Sequence, residues 1–415
     1  MDTIEVSHPS GIASGAIYLD GSKSISNRVL IIKALCEGQF DIDHLSTSDD
    51  TATLQRMLER KGEEGTYNVG HAGTTFRFLT AYLSLQKGTQ VLTGSARMLQ
   101  RPIGPLVDAL RSLGCKIDYL GEEGYPPLKI QDSDAIKGGE VSIDASVSSQ
   151  YLTALLLIGP SLPEGIHLKL KGDLVSESYL KLTLNILYEF GITYLYQDHE
   201  VIVGPQSYEA RDYKVEADWS AASYYFAVAS MAKESSIRLR GLHAKSYQGD
   251  ADIVRYCHHL GVGSRREGDD WLLSKVDVDG KLQEDFINMP DIAQTIATIC
   301  AAREIDNELS GLKTLRIKET DRISAMNIEL SKLGSGFSLL YGEGDDEVYG
   351  VHKGVRFAKT PPRFDTYKDH RMAMCLAPLA ILHPVQINHP AVVSKSYPTF
   401  WKDLEKLGFE LKDVS

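Results

Sequence analysis

Apolar residues along this chain gather into helix-length runs, and six of these runs open directly from a short polar, often charged segment. The openings are GSKSISNR at Gly21, GHAGTTFR at Gly70, ASVSSQY at Ala145, EADWSAASYY at Glu216, MPDIAQT at Met289 and YKDHRMAM at Tyr367. A second helical pattern follows each and stops at a glycine: Gly62, Gly114, Gly191, Gly261, Gly334 and Gly408. Apart from a short first interval, the beat is a little over 70 residues. With two helices per beat and β-like runs between them, the pattern predicts six copies of one α/β module rather than a thin solenoid. Alternating runs predict half-buried strands at VLTGSARM (91–98), YPPLKIQD (125–132), IHLKLKGD (166–173), VIVGP (201–205), SIRLRGLH (236–243) and LKTLRIK (312–318).

The fold class is therefore α/β, with six repeated units arranged three per lobe. One lobe is discontinuous, residues 1–21 plus 218–415, and the other runs from 22 to 217. The N-terminal segment supplies a strand to the discontinuous lobe, so the chain crosses twice, with a hinge expected near Gly21 and Ala217. GEGDDEV (342–348) is the one acidic, turn-rich stretch and reads as a surface loop.

Composition narrows the chemistry. The 415 residues are 43% hydrophobic and 24% charged, ordinary for a globular protein with a sizeable core. No run of about 18 apolar residues occurs and the N-terminus lacks signal-peptide blocks, which reads as cytoplasmic. Forty-four basic against 56 acidic residues give a net charge of -12, against nucleic acid or anionic membranes as partners. The five cysteines are scattered and sit in apolar runs, as reduced thiols do. There is no CxxC or HExxH, and the neighbours His258 and His259 make a poor metal pair; no metal is expected.

Any anion site must then be a local concentration of charge, and helix starts are where it gathers. Such starts offer unpaired backbone N–H groups and the positive end of the helix dipole. GSKSISNR places Lys23, Ser24 and Arg28 at the mouth of the first helix. In RMLQRPIG, Pro102 is the expected first helical residue, with Arg101 entering beside it. SVSSQYLTALL offers Ser148, Ser149 and Gln150 in succession, and Ser176 and Tyr179 precede a further helix. RIKETDRISAM sets Lys318 and Arg322 four apart on one expected helical face, with Glu319 and Asp321 between. Asp369, His370 and Arg371 come just before an apolar run, Lys395 just ahead of a Pro-initiated helix, and Asp291 just after Pro290. Singly, each is as well explained by capping or a solvated first turn. Together, seven cations (Lys23, Arg28, Arg101, Lys318, Arg322, Arg371, Lys395) and two of the carboxylates, Asp291 and Glu319, at equivalent junctions imply a small ligand load with several negative charges, handled without a metal.

These motifs, in order and over nearly the whole chain, resemble the 5-enolpyruvylshikimate-3-phosphate synthase family. GSKSISNR, AGTTFRFL, RPIG, SVSSQYLTALL, PDIAQTIAT, KETDR and DHRMAM carry the resemblance. It implies a two-lobed inside-out α/β barrel and enolpyruvyl transfer from phosphoenolpyruvate to shikimate 3-phosphate, with no cofactor, as a monomer. By motif, Lys23, Gly73, Arg101, Gln150, Arg322, Arg371 and Lys395 are implied for phosphoenolpyruvate. Ser24, Arg28, Ser148, Ser149, Gln150, Ser176, Tyr179, Asp291 and Lys318 are implied for shikimate 3-phosphate. Asp291, Glu319 and either Lys23 or Lys395 are the implied proton-transfer groups. The chain departs from the family pattern at His71, Phe78, Thr314 and the shortened 59–70 segment. A sister transferase acting on UDP-N-acetylglucosamine uses a reactive cysteine before its arginine motif; here LTGSARMLQ has none.

Overall fold

The computed structural model describes residues 2–414 except 145–147 and 173, and all of their side chains except that of Asp345. The predicted third opening, ASVSSQY, thus lies partly outside the described residues. Among these residues the helices form six pairs. They are α1 (Lys23–Leu35) and α2 (Asp49–Leu58), α3 (Gly73–Leu83) and α4 (Gly104–Ser112), α5 (Ser149–Ile158) and α6 (Glu177–Glu189). The remaining pairs are α7 (Trp219–Met231) and α8 (Ile253–Tyr256), α9 (Ala293–Arg303) and α10 (Arg322–Ser331), α11 (His370–Leu376) and α12 (Phe400–Glu405). Each second helix is followed by its glycine in the left-handed region, with φ of 77° at Gly62, 97° at Gly114, 82° at Gly191, 72° at Gly261 and Gly334, and 94° at Gly408. A residue with a Cβ is disfavoured there, so the glycines mark where the chain turns out of the helix.

The two helices of a pair differ in character. In α7 every residue but Ser220 is buried, and α3, α5 and α9 are nearly as apolar all round. A helix without a polar face must be enclosed. These first helices enclose one another: α1, α3 and α5 are in mutual contact, as are α7, α9 and α11. The second helices are amphipathic, as in α4, where Leu106, Val107, Ala109 and Leu110 are buried and Asp108 is exposed. Each unit is thus inside-out, with helices at its centre. The chain divides into two compact units, Met1–Asp20 with Glu216–Ser415, and Gly21–Val215, each with its own hydrophobic core.

Among the described residues, five sheets share one four-stranded pattern. Gly65–Asn68 runs parallel to Thr89–Thr93 across α3, and the hairpin Lys116–Tyr119 with Leu128–Gln131 adds antiparallel. The same order holds for Gly139–Asp144 with Ile166–Lys171, and for Leu282–Asp285 with Asn307–Ser310. The N-terminal segment gives two strands, not the single one expected. Thr3–Ser7 lies between Val385–Asn388 and Glu410–Asp413, and Ile12–Tyr18 pairs parallel with Glu234–Arg240. The first interval is the exception. Its sheet has only Ile42–Asp43 and Tyr213–Lys214, because the residues 59–64 between α2 and the next strand are too few for a hairpin. At the first crossing, a Cβ on Gly21 would lie 1.9 Å from the His44 carbonyl oxygen, so only glycine fits.

One strand expectation is overturned. LKTLRIK is a 3-10 turn, Lys313–Ile317, and the strand of that unit is Asn307–Ser310. Gly311 at φ 70° ends the strand, and Leu312 and Leu315 are buried three residues apart, the period of a 3-10 turn rather than of a sheet. Among the described residues no helix is long and apolar enough to cross a membrane.

Candidate active site

In the unit 21–215 the first turn of α1 carries Lys23 and Ser24, and Arg28 follows one turn later on the same face. Arg28 is buried, yet its partners are all neutral. Nε donates to Thr183 Oγ1 at 2.9 Å, Nη1 to the Ser24 carbonyl at 2.7 Å, and Nη2 to Thr153 Oγ1 at 3.1 Å and the Tyr179 carbonyl at 3.3 Å. Burial without a counter-charge lowers its pKa to about 10. Lys23 reaches Asp50 at 3.4 Å. Ser148 caps α5 by accepting from the Gln150 N–H at 3.3 Å, and Gln150 Nε2 donates to Thr74 Oγ1 at 3.3 Å. Ser149 is the first residue of that helix. Ser176 takes the cap position of α6 in a left-handed conformation, φ 58°, and Tyr179 lies inside the helix rather than before it.

Arg101 stands where the sequence puts it but for a different local reason. Pro102 does not open the helix; α4 begins at Gly104 with Pro105 in its first turn, and Arg101 is extended. Its guanidinium crosses over Gly73, where an added Cβ would sit 2.4 Å from Nη1. Arg77 ties the two segments together, with Nη1 donating to the Gly73 carbonyl at 3.1 Å and Nη2 to the Pro102 carbonyl at 3.2 Å.

In the other unit the charges are paired with charges. Arg322 is 1% exposed. Its Nε bonds Asp369 Oδ2 at 2.8 Å, Nη1 bonds Asp291 Oδ1 at 3.3 Å and Nη2 bonds Glu319 Oε2 at 3.1 Å. Burial works against this cation, but Asp369, Glu319 and Asp291 outweigh it and hold its pKa above the ordinary value. Arg371 pairs with Asp291 Oδ2 at 2.9 Å, and Lys395 with Glu319 Oε1. Lys318 and Arg322 do not share a helical face. Asp321 caps α10 by accepting from the Ser324 N–H, the helix begins at Arg322, and Lys318 precedes it with ψ of -150°. Lys318 still belongs to the cluster: its pKa is lowered by burial, with Asp291 opposing and Arg322 assisting. Lys395 closes a 3-10 turn, Pro390–Lys395, and α12 starts only at Phe400.

The sequence names Asp369 without giving it a role, and passes over Asp250, Asp50 and Arg77, the other groups that hold these side chains. Asp369, the cap of α11, accepts from the Arg371 N–H at 2.9 Å while it clamps Arg322. Asp250 is buried against Ser220, and burial and Asp291 together raise its pKa to about 7. Asp50 and Arg77 complete the list. Asp369 and Arg77 lie within the motifs; Asp50 and Asp250 lie in ordinary polar stretches that carry no pattern of their own. Among the described residues no group of His, Cys, Asp and Glu is placed to hold a metal ion.

An inside-out α/β repeat of this kind fits the fold implied by the resemblance to the enolpyruvyl transferases. The family profile EPSP synthase (3-phosphoshikimate 1-carboxyvinyltransferase) matches residues 55–404. A 3-phosphoshikimate 1-carboxyvinyltransferase of Bacteroides fragilis strain YCH46 is 43% identical over 413 residues, covering 98% of both chains. One from Sulfurovum sp. strain NBC37-1 is 40% identical, covering 95% of this chain and 96% of its own. A solved EPSP synthase from Acinetobacter baumannii shares the fold with a TM-score of 0.77 at 20% identity, over the whole of both chains. The chain belongs to the EPSP synthase family.

Proposed function

We propose that this protein transfers the enolpyruvyl group of phosphoenolpyruvate to the 5-hydroxyl of shikimate 3-phosphate and releases phosphate, a step of the shikimate pathway toward aromatic amino acids. Full-length similarity to 3-phosphoshikimate 1-carboxyvinyltransferases carries this reading. The residues assigned to phosphoenolpyruvate are Lys23, Gly73, Arg101, Gln150, Arg322, Arg371 and Lys395. Those assigned to shikimate 3-phosphate are Ser24, Arg28, Ser148, Ser149, Gln150, Ser176, Tyr179, Asp291 and Lys318. Each phosphate brings a charge of about -1.5 to -2 at neutral pH, and each substrate adds a carboxylate, which suits this set of cations.

In the chemical step Asp291 accepts the proton of the 5-hydroxyl as its oxygen bonds to the enol carbon, and Glu319 gives a proton to the methylene carbon. The tetrahedral adduct then loses phosphate, which leaves protonated by Lys23 or Lys395; that lysine is restored by the proton Asp291 took, and Glu319 recovers a proton from the new methyl group. Glu319 lies between Lys395 and Arg322, whose charges stabilise the carboxylate left when its proton is given up and equally favour that ionised form before the substrates' own negative charges arrive. The protein works as a monomer in the cytoplasm, with the crossings near Gly21 and Ala217 as its hinge.

A second reading, transfer to UDP-N-acetylglucosamine by a reactive cysteine, is disfavoured by Cys115, whose thiol burial pushes up to about 11. Phosphate release is the test. Release with phosphoenolpyruvate plus shikimate 3-phosphate, and none with UDP-N-acetylglucosamine, is the expected result. The reverse preference, or binding without release, overturns the assignment.

A further inference from the structure

One buried carboxylate near this cluster has no part in the chemistry above. Glu216 is the first residue of the chain's return segment and is 4% exposed. Its Oε1 accepts from Trp219 Nε1 and from the His243 N–H, both at 2.9 Å. Its Oε2 accepts from Ser246 Oγ at 2.8 Å and Gln248 Nε2 at 2.9 Å. Those four donors fill the acceptor capacity of one carboxylate. Gln248 is fixed in turn, donating to the Ala217 carbonyl at 2.8 Å and accepting from the Trp219 N–H at 3.2 Å. A buried charge is tolerated only where dipoles replace water, so three donors from 243–248 and one from α7 are drawn to a single point.

The loop so gathered ends on Asp250. Asp250 accepts from Ser220 Oγ, which itself accepts from Arg371 Nη2 at 3.5 Å, and Arg371 pairs with Asp291. The charged groups acting on Asp250 are Asp291, Arg371 and Asp218. We propose that Glu216 is a positioning residue: by fixing the 243–250 loop it holds Asp250 against Ser220, and so sets the charge that Arg371 and Asp291 feel. The consequence for turnover rests on the enolpyruvyl-transfer reading; the network does not.

Glu216→Gln and Ser246→Ala in the full-length chain test it. Glutamine turns an N–H₂ toward two donors, whereas Ser246→Ala removes one donor and leaves the carboxylate. Turnover is expected to fall about tenfold in Glu216→Gln and a few-fold in Ser246→Ala, with both KM values changed less than about twofold. The pH profile of kcat should move in both. If the unaltered protein turns over and both variants keep its rate and profile, the positioning role is wrong while the function stands. If the unaltered protein releases no phosphate, the function falls, and the ¹⁵N indole resonance of Trp219 decides the rest. Its titration should follow that of Asp250 and shift its midpoint in Ser246→Ala; an unchanged midpoint overturns the proposal. Should Glu216→Gln fail to fold, Ser246→Ala carries the test alone.

Discussion

The two units hold their buried arginines in opposite ways. Arg28 is enclosed by hydroxyls and carbonyls, whereas Arg322 is enclosed by Asp291, Glu319 and Asp369. An uncompensated cation keeps its positive field for an incoming anion, at the expense of its own proton affinity. A compensated one contributes little net field; it organises carboxylates so that each proton gained or lost is felt by its neighbours. On the proposed reading, Arg28 offers an incoming anion the less compensated charge, while Arg322 holds together the carboxylates available for proton transfer.

The largest effect that can break this contrast is on turnover. Asp291→Asn keeps the shape but removes the base, and kcat should drop by about 10²–10⁴-fold with KM values nearly steady; unchanged kcat takes Asp291 out of the chemistry. Stability comes next. Arg322→Leu strands three carboxylates and should destabilise by about 3–5 kcal/mol. Arg28→Leu strands only neutral groups, for about 1–3 kcal/mol. Urea denaturation of both variants should preserve that order, and a reversed order would show that the contrast has been misread.

Asp250 sharpens the comparison through pH. Its folded pKa of about 7 lies above the ordinary carboxylate value of 3.8, so between those limits the folded state binds a proton that the unfolded state does not. Its contribution to stability is therefore complete below pH 3.8 and lost as pH rises through 7. Asp250→Asn should flatten that part of the stability–pH curve; a curve of unchanged slope would assign the dependence elsewhere. The smallest effect belongs to the other unit. Gly73→Ala forces the Arg101 guanidinium aside, and KM for phosphoenolpyruvate should rise by about tenfold with denaturation unchanged. An unaltered KM would separate Arg101 from that substrate.

Much of the fold was legible because two signals coincide in each unit: an all-round apolar helix, which has to be central, and a glycine that has to take positive φ. Both are local. LKTLRIK misled because Leu315 and Ile317 alternate with Thr314, Arg316 and Lys318 as in a strand, yet Ile317 is exposed and the buried pair is Leu312 with Leu315, three residues apart. The cations were visible for a similar reason, since charge at the mouth of an apolar helix is conspicuous. Their geometry was not. Arg322 heads its helix only because Asp321 caps it, and Asp50 and Asp250 are brought to Lys23 and Ser220 by packing across 27 and 30 residues of chain. No spacing rule reports such pairings.

The strand Thr3–Ser7 sits in the middle of a sheet whose neighbours are Val385–Asn388 and Glu410–Asp413. During synthesis Thr3–Ser7 must therefore wait about 380 residues for the partners on either side of it. Residues 21–215 meanwhile emerge as a contiguous piece with a complete core of their own. Residues 21–215 can therefore be finished co-translationally, while the sheet holding Thr3–Ser7 closes only once residues 410–413 have been made.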